Sequence, residues 1–341
     1  MAVHVLEPIE PYNGLYFKTC FYNALFPALA YLGRSECRFL MNEMFVYEFD
    51  EEHGQISQAA IGLYPEEELY RLLGLAFKRE DNMDDPIHSV IRAINHRQPV
   101  ILLIDSFFES IRPDTYQKYH LPHYILVHGY DMDRQVFHII EHRYQESMLY
   151  IKRELPFEDV ALCCEGVKEK FGHLRHLPNF LSFSLRTGEP QSEPDPLRNA
   201  SMDYYRHAWN ERERVLGCLP EMQKFHRAFS HICASESLLR AWVERQFGQW
   251  PFRLTSVILN KMLEKQRLQI LEFPETLNSR LGQVIEDWKL IQAILLKYKT
   301  TGVYNAESIE TVVGKIALMQ EAETAYYSEF FSHVQTRMQR G

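Results

Sequence analysis

No apolar run in the 341-residue chain approaches the roughly 20 residues that cross a bilayer, so no membrane-spanning helix is expected. The opening MAVHVLEPIEPYNG has neither a basic start nor an apolar core, which predicts no signal peptide. Cysteine is scarce: the six residues at 20, 37, 163, 164, 218 and 233 neither form a disulfide framework nor repeat a CxxC spacing for zinc. No GxxxxGK[ST] or GxGxxG stretch occurs, which leaves nucleotide chemistry without a phosphate cradle. Basic residues are outnumbered 37 to 46, and the shortfall is local. Residues 1–199 hold 19 basic against 30 acidic side chains, a net −11, while residues 200–341 hold 18 against 16, a net +2. An acidic front half argues against nucleic acid as a partner. The near-neutral back half leaves room for a local basic patch facing an acidic protein. These absences together predict a cytoplasmic protein in a reducing compartment.

What is present divides at one segment. RTGEPQSEPDPLRNAS, residues 186–201, concentrates Pro, Ser, Glu and Gly and reads as a linker. It separates an expected α+β domain over 1–185 from an expected all-α domain over 202–341. In the first domain, YFKTCFYNALFPALAYLG spaces Phe21, Leu25, Leu29 and Leu32 at helical intervals behind Thr19, a residue type favoured as N-cap. Pro27 is expected to bend or restart that helix. PEEELYRLLGLAF and DDPIHSVIRAINHRQ read as helices, PVILLIDSFF as a buried strand, HYILVHGYDMDRQVFHIIEH as a hairpin and MLYIKREL as a further strand. Beyond the linker about five helices are expected, with breaks at Gly248–Pro251, Pro274 and Thr300–Asn305. Ile309, Val312, Ile316, Met319, Tyr326, Phe330 and Val334 form a long amphipathic stripe. Its plain reading is bundle core; the alternative is a groove for an acyl chain or a partner helix.

Three residues carry the chemistry. Cys20 falls in the first turn of its predicted helix, where unpaired N–H groups and the positive dipole end favour a thiolate. His123 follows Pro122 at the start of a strand, and Glu141 lies 18 residues later near the end of the returning strand. In a tight hairpin those two ends meet, and a carboxylate there orients an imidazole and stabilises its charged form. Alone, Cys20 reads as a small buried residue and Glu141 as an exposed strand-end acid. Together with His123 they read as nucleophile, base and orienting acid, the arrangement of papain-like cysteine enzymes. Cys37, Cys163, Cys164, Cys218 and Cys233 read as packing residues, and His128 as structural.

The Cys-led helix, PVILLID, LPHYILVHGYD and the short return strand resemble the N-terminal domain of the butirosin-type acyltransferases. That family is related to the C39-like bacteriocin-leader peptidases within the papain-like fold. The resemblance covers about residues 10–165, and the helical region beyond the linker fits the helical C-terminal domain found with it. It implies transfer of an acyl group from a carrier-protein thioester, through Cys20, to an amine in natural-product assembly. By position Cys20, His123 and Glu141 match the family's nucleophile, base and acid, and Asp105 matches an acidic position that faces the substrate. The implied partners are an acyl or peptidyl carrier protein, whose phosphopantetheine arm presents the acyl group, and a small-molecule amine. No cofactor held by this chain, nucleic acid or membrane is implied. The sequence departs from the family twice. The acid is more often Asp, so Glu141 is one methylene longer. The leader peptidases carry a glutamine oxyanion donor six residues before the cysteine, where this chain has Gly14; Asn13 beside it is the candidate donor. The same residues would also serve hydrolysis of a peptide or thioester, and a non-catalytic scaffold of this fold is the rival from another class.

HIIEH, residues 138–142, matches the HxxEH metalloprotease pattern. That chemistry needs helical spacing to place both histidines on one face. RQVFHIIEHRY follows a Gly-Tyr-Asp turn and is β-branched and aromatic, so a strand without a metal is expected. HLRH at 173–176 is a second histidine pair without a third ligand in the sequence around it.

Overall fold

The computed structural model describes residues 3–15, 19–81, 83–142, 149–174, 178–247 and 253–340. His176 of the HLRH pair and the whole of the expected break at Gly248–Pro251 lie outside them. The described elements begin with β1 (Val3–Val5), α1 (Cys20–Tyr31) and a short α2 (Cys37–Leu40). A hairpin of β2 (Glu43–Asp50) and β3 (Gln55–Gly62) leads to α3 (Glu66–Leu72), β4 (Leu75–Glu80), α4 (Pro86–Asn95) and β5 (Val100–Asp105). A 3-10 turn at Ser106–Phe108 opens the loop to β6 (Pro122–Asp131), followed by β7 (Val136–His142) and β8 (Tyr150–Pro156). Next come α5 (Phe157–Lys170) and β9 (Phe180–Leu185). The remainder is helical: α6 (Pro196–Asn210), α7 (Arg212–Gly217), α8 (Pro220–Cys233), α9 (Glu236–Phe247), α10 (Arg253–Ile270), α11 (Glu275–Thr301) and α12 (Ala306–Arg340). No helix among the described residues is long and apolar enough to cross a membrane. The chain divides into two compact units, Met1–Glu36 with Pro65–Pro196, and Cys37–Tyr64 with Leu197–Gly341.

The first unit is an antiparallel sheet in the order β4-β9-β5-β6-β7-β8, with β1 added beside β6. All six residues of β5 are buried, as a continuous apolar run in a central strand requires. Helices α1, α4 and α5 pack on β5 and β6. The β6–β7 pairing carries a bulge between Val127 and Gly129, so His128 is the extra residue. Gly129 is required there: a Cβ would stand 2.8 Å from the His4 carbonyl oxygen of β1. Helix α1 runs through Pro27 without interruption, and the expected restart does not occur. PEEELYRLLGLAF is not one helix. Gly74 takes φ +66° after α3, and the following residues pair with β9 as β4.

The segment expected as a linker is tied down in its first half. Arg34 is 5% exposed and donates to the carbonyls of Leu73 at 2.6 Å and Pro190 at 2.7 Å. Glu193 N donates to Gly33 O, and Gly33, at φ +67°, admits no Cβ because Gln191 O occupies that place. The last residues of the expected linker belong to α6, which begins at Pro196.

The second unit differs from an all-α domain over 202–341, because residues 37–64 belong to it. Met44, Val46, Ile56 and Ile61 of the hairpin enter one apolar core with Phe225, Trp242, Trp288 and Phe330. Burying that apolar surface, rather than sequence proximity, decides where the hairpin resides. Seven helices follow residue 196 among the described residues, where about five were expected. The stripe Ile309, Val312, Ile316, Met319, Tyr326, Phe330 and Val334 is buried in this core.

Candidate active site

Thr19 starts α1: its Oγ1 accepts the Phe21 N–H at 3.1 Å, which leaves Cys20 as the first helical residue. The Cys20 side chain is only half-buried. His123 is the second residue of β6 and 5% exposed, and its imidazole lies close enough to the Cys20 thiol for its charge to lower the thiol pKa. On its other side, His123 Nε2 meets Glu141 Oε2 at 2.7 Å. With Nε2 engaged by the carboxylate, Nδ1 is the nitrogen left for the thiol. The extra methylene of Glu141 is accommodated. Its Oε1 accepts from Arg112 Nη1 at 3.1 Å and from the His142 N–H at 2.5 Å, so both oxygens of this fully buried carboxylate are occupied. Arg112 in turn forks onto Asp114, Nε to Oδ1 at 2.9 Å and Nη2 to Oδ2 at 2.8 Å. The structure therefore brings Cys20, His123 and Glu141 into one chain of contacts and extends it to Arg112 and Asp114.

The charges follow from this geometry. Burial alone would push the Cys20 thiol up. The His123 charge, its hydrogen bond and one from the Tyr124 main chain outweigh burial, against a smaller opposing push from Glu141, and hold the thiol below its ordinary value. Burial disfavours charge on His123, yet Glu141 and the Cys20 thiolate raise its pKa well above the usual imidazole range. Glu141 is also penalised by burial, but His123 and Arg112 bring it down to about 2. These directions describe a thiolate–imidazolium pair backed by a carboxylate. By contrast, burial raises Cys163 and Cys218 and pushes Cys164 and Cys233 up to about 12.

The other two predicted site residues are engaged elsewhere. The Asn13 side chain clamps the main chain of Tyr150: Nδ2 donates to Tyr150 O at 3.1 Å, and Tyr150 N donates to Oδ1 at 2.8 Å. An amide used at both ends is a structural clamp, which is not the oxyanion-donor role expected for it. Asp105 is fully buried; it accepts from the N–H groups of Phe107 and Leu121 and pairs with His120 Nδ1 at 2.5 Å. These bonds close the loop between β5 and β6 instead of presenting a carboxylate to Cys20. Gly166 of α5 is small for the same reason, since a Cβ there would stand 2.8 Å from Asp105 Oδ2.

HIIEH lies on β7, as its β-branched character predicts. His138 stands opposite Gly129 and Glu154, whereas His142 stacks 5.7 Å from His123. One ligand atom each of His123, Glu141 and His142 lie within 4.8 Å of one another, a spacing that suits a metal ion. The donor set does not suit one. His123 Nε2 and a Glu141 oxygen are already joined by a hydrogen bond, and the Arg112 guanidinium lies 3.1 Å from the same carboxylate. An entering cation would have to displace the shared proton and face a fixed positive charge.

Sequence reasoning missed Arg112, Asp114 and Glu109. All three lie in SFFESIRPDTYQKYHL, residues 106–121, which has no periodicity and no motif spacing. The only usable signal was an Arg-Pro-Asp triplet in a loop beside a predicted site strand. No protein-family model matches the chain, and no curated protein matches it.

Proposed function

We propose that the chain is a cysteine-dependent acyltransferase with a papain-like, C39-like catalytic domain, moving an acyl group from a carrier-protein thioester to an amine. The observation that carries this reading is the Cys20–His123–Glu141 chain, with its thiol on the first turn of a helix and held below the ordinary thiol range. The Cys20 thiolate attacks the thioester carbonyl, and backbone N–H groups at the start of α1 receive the oxyanion. As the tetrahedral intermediate collapses, the C–S bond to the carrier breaks and the phosphopantetheine thiolate takes the His123 proton. The amine then attacks the acyl-Cys20 carbonyl and loses its proton to His123; the C–S bond to Cys20 breaks and restores the thiolate. Thiol-for-thiol exchange makes the first half nearly balanced in free energy, and amide formation drives the second.

The test is intact-protein mass spectrometry with a carrier-bound acyl thioester. Cys20 should acquire the acyl mass without acceptor, and the adduct should clear quickly when an amine is added. Cys20→Ala should show no adduct, and His123→Ala should slow both halves. Glu141→Gln should slow them less, because it acts through the imidazole. A mass gain that survives in Cys20→Ala would overturn the mechanism. Rapid clearance in water alone would make the protein a hydrolase that uses the same residues.

A further inference from the structure

Glu109 belongs to this cluster, and the proposed chemistry leaves it unused. It closes the turn after Ser106–Phe108: its N–H donates to Ser106 O, and its carbonyl accepts from Arg112 N at 3.0 Å. The side chain is fully buried, yet both carboxyl oxygens lack a hydrogen-bond partner. A buried polar atom in that state calls for an explanation. The charged and titratable groups whose fields reach it are Arg112 of its own loop, His123 of β6, Glu141 of β7, Arg153 of β8 and Cys163 of α5.

Counting charge in this cluster decides the state of Glu109. One guanidinium, Arg112, already answers two carboxylates, Asp114 and Glu141, while Arg153 donates to the His142 carbonyl. Cys20 and His123 share one proton and are neutral as a pair. Ionised Glu109 would be an unanswered buried anion without a single hydrogen bond, beside Glu141. Buried groups in that position neutralise rather than carry charge. We propose that Glu109 is kept as a neutral carboxylic acid beneath the Cys20–His123–Glu141 chain, and that losing this proton sets the alkaline limit of the site. Burial, reinforced by Glu141, accordingly pushes its pKa up to about 8. Once ionised, Glu109 repels Glu141 and draws on Arg112, whose bond to Glu141 Oε1 keeps Oε2 free for His123. Glu109 is thus a positioning residue, acting on the imidazole through Arg112 and Glu141.

The inference rests on the nucleophile reading only for its consequence in activity, so its test includes readouts that need no turnover. Infrared spectroscopy of wild type at neutral pH should show a protonated-carboxyl band that Glu109→Gln lacks and that fades as pH rises through about 8. In protein carrying ¹⁵N-histidine, the His123 ring resonances should shift through the same transition in wild type and not in Glu109→Gln. The alkaline limb of Cys20 acylation should move upward in the variant by about one pH unit or more, a tenfold gain in rate at a fixed pH on that limb. Glu109→Gln is the isostere of the neutral acid and should fold; failure to fold would count against the proposal. It is also overturned if the variant loses no carboxyl band, or if the His123 transition persists in it. If wild type is never acylated while band and resonances behave as stated, the acyltransferase reading fails and the neutral acid stands.

Discussion

At the scale of single residues, Arg112 is the feature that the structure adds to the expected site. A carboxylate that orients a histidine must itself be held, and Glu141 is held by a guanidinium whose other edge is fixed by Asp114. Removing that guanidinium leaves a buried carboxylate without its cation, so Arg112→Ala should cost ~3–5 kcal/mol of stability, visible in the denaturant midpoint. In the fraction that remains folded, Cys20 acylation should fall by about tenfold, the equivalent of ~1.4 kcal/mol in the barrier. Arg112→Lys keeps the charge but not the fork onto Asp114, and should fall between wild type and Ala. Wild-type acylation in folded Arg112→Ala would mean that Glu141 needs no support. Cys20 should also be the thiol that iodoacetamide labels first, because burial raises Cys163, Cys164, Cys218 and Cys233 while the histidine lowers Cys20. Peptide mapping that finds Cys164 or Cys218 labelled ahead of Cys20 would contradict this.

At the scale of elements, what was legible is what local sequence encodes. Thr19 before an apolar 3.6-residue period marked the start of α1, Pro122 marked the edge of β6, and the two β-rich runs marked a hairpin, so Cys20, His123 and Glu141 were readable as a set. Gly129, Tyr130 and Asp131, however, end β6, and the turn lies at 132–135. The partners of Asn13 and Asp105 were not readable, because residue type says what a side chain can bond and not which carbonyl or N–H will face it. Nor was the placement of β2 and β3, which depends on contacts with residues more than 150 positions away, such as Tyr47 with Glu323. That hairpin is tied to its unit by a buried ionic knot. Lys261 of α10 donates to Glu264 at 3.1 Å, to Glu323 of α12 at 2.7 Å and to the Tyr327 hydroxyl at 2.9 Å. The Tyr47 hydroxyl of β2 donates to the remaining oxygen of Glu323 at 2.5 Å. Lys261→Met would strand two buried glutamates and should cost ~3–5 kcal/mol. Tyr47→Phe removes one hydrogen bond from an otherwise satisfied network and should cost ~1 kcal/mol. Equal losses for the two variants in chemical unfolding would show that the lysine is not the centre of the knot.

At the scale of the whole molecule, the site's ionisable groups leave a pH signature in stability, and its sign follows from proton counting. Between the ordinary histidine and thiol values, unfolded Cys20 and His123 hold one proton between them, on sulfur; the folded pair also holds one, on the imidazole, so this pair adds no slope there. Glu141, lowered to about 2, contributes stability that is present above the ordinary carboxylate value and is lost as pH falls toward 2. Glu109 works the other way. Raised to about 8, it binds a proton in the folded state that the unfolded chain has already released, so it erodes stability as pH climbs from the ordinary carboxylate value to about 8. The erosion is at most ~1.4 kcal/mol per pH unit. Other acids, Glu66 and the buried Glu323 among them, shift in the same direction and would mask it in wild type alone. The difference between Glu109→Gln and wild type cancels them. The variant's advantage in Tm should be near zero at pH 4.5, grow steadily through pH 7 and level off above about pH 8. A Tm difference that stays constant across this range would show that Glu109 titrates like an ordinary exposed acid.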